Sequence, residues 1–100
     1  MPRAKIRQYG VQSKAGEKST RPTPAVGDRI FLVIQNTGAN PGLLRFGGPV
    51  RGDGSDLLFA AGSAPLIFDQ ADSCPNDDLN FQSTLGTSWA VLERVVGSNG

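Results

Sequence analysis

The stretch "IQNTGANPGLLRFGG", Ile34–Gly48, decides how this chain folds. It completes "RIFLVIQN" (Arg29–Asn36), whose β-branched and aromatic residues form a continuous apolar run that reads as a strand covered on both faces. "NTGANPG" then breaks the run, with glycine available for positive φ and Asn-Pro for a fixed bend. "LLRF" (Leu43–Phe46) is the return strand, with Leu44 and Phe46 on one face and Leu43 and Arg45 on the other. Gly47, Gly48 and Pro49 end it.

The same grammar continues downstream. "LLFA" (Leu57–Ala60), the turn "AGSAP" and "LIFD" (Leu66–Asp69) make a second pair of strands. "LNFQS" (Leu79–Ser83) alternates cleanly, with Leu79 and Phe81 inward. "SWAVLERVV" (Ser88–Val96) is the closing strand, although its residues also tolerate a helix. Strands roughly 8–12 residues apart, separated by Gly/Pro/Asn turns, predict an all-β fold, a small antiparallel β-sandwich or barrel of about six strands. Its expected core is Phe31, Val33, Leu44, Phe46, Phe59, Ile67, Phe81, Trp89 and Val91.

Upstream the composition changes. Residues 1–27 contain few apolar side chains, too few to offset the entropy of ordering them. They carry six cations against Glu17, a net +5, whereas residues 28–100 carry four arginines against eight carboxylates, a net −4. The expected organisation is an extended basic arm (1–27), a folded body (28–96) and a flexible tail (97–100). A basic arm on an acidic body points to an acidic partner surface. Nucleic acid is disfavoured as that partner, because Tyr9 is the arm's one aromatic and the acidic body repels DNA. "MPRAKIRQYG" lacks a following apolar run, so no secretory signal is expected, and Ile30–Ile34 is far too short to span a bilayer. The chain reads as a cytoplasmic product without membrane association.

Catalysis finds little material here. With no histidine the commonest general base and metal ligand is missing. All three lysines lie in the arm, away from any pocket that could desolvate them. No catalytic, cofactor-binding or metal residue is therefore assigned. "DQADSCPNDD" (Asp69–Asp78) is an acidic loop open to either a calcium reading or a solvated-turn reading; it lacks EF-hand spacing and the bidentate glutamate. Cys74 has no disulfide partner and reads as a small packing residue. "RGD" (Arg51–Asp53) is a short tripeptide in a glycine-rich loop and carries no adhesion assignment without a signal sequence.

Taken together, "VIQNTGANPGLLRFGG", "LLFAAGSAPLIFDQ" and "LGTSWAVLERV" resemble small accessory structural proteins of tailed-bacteriophage virions. The resembling parts are Gln35–Pro41, Arg45–Gly47, Leu58–Pro65, Phe68-Asp69 and Gly86–Glu93, which leaves the arm outside the likeness. The resemblance implies a β-sandwich bound to the capsid surface of a virion, of the decoration (cement) type, with the major capsid protein and further copies of itself, as a homotrimer, for partners. On that reading Lys5, Ile6, Arg7, Tyr9, Val11, Lys14 and Arg21 of the arm meet the shell. Arg45, Pro49 and Arg51 are candidate contacts of the body, and Arg45 is equally open to a structural pairing with an aspartate. The alternative implied by the same resemblance is a fibre-attachment, tail or host-adhesion module.

Overall fold

The computed structural model describes residues 4–21, 28–70 and 72–96. Every regular element in them is a strand: β1 (Ala4–Ser13), β2 (Lys18–Arg21), β3 (Asp28–Asn36), β4 (Gly42–Phe46), β5 (Leu57–Phe59), β6 (Leu66–Phe68), β7 (Leu79–Gln82) and β8 (Thr87–Val96). They form two antiparallel four-stranded sheets, the first ordered β1-β8-β3-β6 and the second β2-β7-β4-β5. The expected all-β architecture is present, and six of its strands lie where alternation and turn chemistry put them. The closing segment is a strand, not a helix.

The segment expected as an arm departs from that reading. Ala4–Ser13 pairs along its whole length with β8, and Lys18–Arg21 pairs with β7, so each sheet gains an edge strand. The physical reason is local. Alternation along β1 points Val11 and Ser13 into the sandwich, where both are buried. Ser13 Oγ accepts the indole N–H of Trp89 at 2.9 Å, giving the largest buried side chain its polar partner. Residues 1–3 and 22–27 of the expected arm, and the tail 97–100, lie outside the described residues.

Trp89 is the centre of the core. Phe59 and Phe81 of the second sheet meet it with ring centroids 5.4 and 4.9 Å away. Leu32, Ile34, Leu44, Leu79 and Val91 complete the layer between the sheets. Gly42 lies so close to this ring that a Cβ there would collide with it. Gly38 is needed for a similar reason: its backbone lies against Thr87 and Ser88, and it does not adopt positive φ.

The parity of β3 is the second departure. The pairing of β3 with β8 shifts between Arg29 and Phe31, a bulge that leaves Ile30 unmatched. Arg29, Leu32, Ile34 and Asn36 consequently face inward and are buried, while Phe31 and Val33 face outward. Ile67, opposite Val33 on β6, is 52% exposed and also points away from the core.

Two polar networks pin the ends of β3. Asn36 Oδ1 accepts Gly38 N–H (3.0 Å) and the Thr87 hydroxyl (2.8 Å), and its Nδ2 donates to the carbonyls of Asn40 (2.9 Å) and Phe59 (3.2 Å). At the other end Arg29 pairs with Glu93, both side chains essentially inaccessible, and donates to the carbonyls of Asp77 and Pro75. Arg7 reaches the same carboxylate from β1 at 3.5 Å.

Candidate contact surfaces

The outer face of the first sheet carries an apolar patch over β8, β3 and β6. The paired row Gln8–Leu92–Val33–Ile67 crosses all four strands, and Ile6–Arg94–Phe31 runs beside it. Ile6 is 67% exposed, and Phe31, Val33 and Leu92 are half-buried with no element of the described chain over them. Here lies the answer to the continuous apolar run in β3. Such a strand reads as buried on both faces, yet the described residues cover only one.

The outer face of the second sheet carries a shallower feature. Lys18, Gln82, Leu43 and Leu58 form a cross-strand row over β2, β7, β4 and β5. With Pro41, Val50, Arg51 and Leu85 they line an open groove of about 750 Å³. Leu58 and Leu85 are 72% and 69% exposed at its margins. None of these leucines stood out in the sequence as contact residues. The available signal was the doubled leucine in "LLRF" and "LLFA", which places an apolar side chain on both faces of a strand.

The structure separates the expected arm contacts. Lys5, Ile6, Arg7 and Lys14 are exposed on β1 and the turn after it. Val11 is buried in the core, so its side chain is not offered to an outside groove. Tyr9 is half-buried beneath the guanidinium of Arg21, 4.7 Å from its ring centroid. Burial first, then the charge of Glu93, raise the Tyr9 pKa above the ordinary tyrosine value, against the opposing influence of Arg29, Arg21 and Arg7. Arg21 also donates to the Gly10 carbonyl at 3.4 Å, and Ser19 Oγ to the Gln12 carbonyl at 3.0 Å. These side chains occupy the Gly10 and Gln12 carbonyls of β1.

Among the body candidates, Pro49 and Arg51 are exposed. Arg45 takes the structural option, donating to Asp56 at 3.1 Å and to Ser55 at 2.8 Å. Desolvation pushes the Asp56 carboxyl up, but N–H groups of Gly52 and Arg51 and the Arg45 guanidinium outweigh it and hold its pKa below the usual range. In the same loop the Ser55 hydroxyl and N–H donate to Asp53 Oδ1 and lower its pKa, so Arg51–Asp53 is tied into its own loop through Ser55 and Asp56.

The acidic loop is fastened rather than open. Asn76 accepts the Arg29 N–H at 3.0 Å and donates to Asp28 at 3.1 Å, while the Asp78 carbonyl takes Gly47 N–H at 2.9 Å. Among the described residues no three acidic or cysteine side chains are grouped to hold a metal ion. Cys74 packs against the core, and burial raises its thiol pKa. No protein-family model, curated protein or solved structure matches this chain.

Proposed function

We propose that this chain is a virion structural protein of a tailed bacteriophage, a capsid decoration protein that binds the outer surface of the major capsid protein shell. The observation that carries a contact role is the outer face of the first sheet. Phe31, Val33, Leu92 and Ile67 form an apolar surface that the sandwich itself leaves uncovered. The sequence resemblance supplies the virion setting, since shape alone does not assign a function.

In this reading copies meet through the apolar face, as a homotrimer, because a body this small gains burial by association. Lys5, Arg7 and Lys14, exposed along one edge, face acidic side chains of the shell. Neighbouring capsid subunits are clamped by an assembled edge of β1 strands instead of by a free arm.

The test is reconstitution on purified shells lacking the protein, read by sedimentation and by electron microscopy of the particles. Many copies over the shell, in groups of three, are expected. Replacing Lys5 and Lys14 together by glutamate should lower occupancy, and salt should weaken the wild-type contact. Copies confined to a vertex or tail would instead favour the fibre-attachment alternative. An undecorated shell would overturn the capsid reading.

A further inference from the structure

We infer that the groove on the second sheet receives an extended peptide from a protein partner, one that sets an acidic residue beside apolar anchors. Leu43, Leu58, Val50 and Leu85 give the groove an apolar part, beside the neutral polar side chains of Gln82, Ser83 and Thr84. The ionisable groups of the lining are Lys18 and Arg51, and no carboxylate is among the lining residues. The nearby carboxylates are engaged within their own loop: Asp56 pairs with Arg45 and accepts the Arg51 and Gly52 N–H groups, and Asp53 Oδ1 accepts from Ser55. A groove of one charge sign with an apolar part selects the opposite sign next to an apolar side chain.

Dimensions agree with a peptide. The row Lys18–Gln82–Leu43–Leu58 crosses four neighbouring strands. At about 4.8 Å per strand it spans about 14 Å, a distance that four or five extended residues cover. Alternate side chains of such a peptide point the same way, so an apolar residue can rest on Leu43 and Leu58 while a carboxylate meets Lys18. A second copy of this chain is the weaker occupant, because the surface contributing Lys18 and Arg51 would bring like charges together. This inference stands apart from the capsid reading and needs no shell to be tested.

The experiment uses the full chain, labelled with nitrogen-15, and three acetylated, amidated peptides. One is Glu-Ser-Leu-Ser-Asp, which sets both carboxylates and the leucine on one face, the second its Gln/Asn counterpart, the third its Lys/Lys counterpart. Amide shifts should concentrate on residues 43, 58, 82 and 85, with the acidic peptide binding about tenfold more tightly than the lysine peptide at low salt, as two exposed pairs allow. Lys18→Glu with Arg51→Glu should reverse that order. Leu58→Ser with Leu85→Ser should abolish the shifts while the spectrum stays dispersed, since both leucines are largely exposed. Equal binding of all three peptides, or shifts elsewhere on the protein, would overturn the proposal. Concentration-dependent groove shifts without peptide would assign the surface to a second copy and overturn it as well.

Discussion

Deleting residues 2–13 separates an edge strand from a passive arm. The deletion removes Val11, which is 5% exposed, and burying a valine contributes about 1.5–3 kcal/mol. It also strips the Trp89 indole N–H of Ser13 Oγ, and a buried donor left unsatisfied costs about 1–3 kcal/mol. Arg7, half in solvent, adds less than about 1 kcal/mol through Glu93. The ladder of backbone hydrogen bonds to β8 is offset by the entropy of ordering the strand and is left out. The expected loss of about 2.5–7 kcal/mol is a large part of the roughly 5–15 kcal/mol that a domain of this size has. Urea unfolding followed by fluorescence of Trp89, the sole tryptophan, measures it directly. The truncated chain should unfold at much lower urea or show a solvent-exposed emission spectrum without denaturant. Val11→Ala and Ser13→Ala in the full chain should each lower the midpoint in the same direction. An unchanged midpoint after deletion would show that the segment is an arm after all.

Two further predictions concern the polar end of the sandwich. Glu93→Gln leaves the Arg29 guanidinium buried without its counter-charge and should cost about 3–5 kcal/mol in urea unfolding, whereas Arg29→Met with Glu93→Leu should recover much of that loss; an unperturbed Glu93→Gln midpoint would sink the reasoning. Tyr9, the sole tyrosine, should titrate above pH 10 by ultraviolet difference absorbance, and lower in Glu93→Gln. Its raised pKa means that the folded state holds the phenol proton longer, so this group's stabilisation is whole below about pH 10 and is lost as pH rises through the folded value. A midpoint at or below 10 in the intact protein would mean that β1 is not docked.

Six strands were legible because "RIFLVIQN", "LLRF" and their successors pair apolar runs with turn residues, a signal that local chemistry carries almost alone. β1 was not. An edge strand covers one rim of the core and needs few buried residues, here Val11 and Ser13 with Tyr9 half-buried. Averaged over a basic segment of 27 residues, that contribution vanishes into the composition. The parity of β3 was also beyond reach. In "IFLVI" both faces are apolar, so alternation cannot say which is inward, and the bulge at Ile30 makes the choice. Of the candidate contacts, exposed cations such as Lys5 and Lys14 follow from composition, whereas Leu43 and Leu58 become neighbours only once β4 and β5 are paired.

The bulge and the two polar networks explain why the first sheet keeps so much apolar surface in solvent. Sliding β3 by one residue would turn Phe31 and Val33 inward, and their volumes would suit a core as well as those of Leu32 and Ile34. The same slip would pull Asn36 off the four groups that satisfy its side chain and carry Arg29 away from Glu93 and the carbonyls of the acidic loop. Each unsatisfied buried group costs about 1–3 kcal/mol, and an uncompensated buried charge costs more. Moving two apolar side chains from one face of β3 to the other regains little, because Leu32 and Ile34 would be expelled in exchange. The register is therefore held by its polar ends, and the apolar outer face is a fixed property of the fold. A surface that cannot be relieved from within stays open to association, and the proposed contact role draws on that.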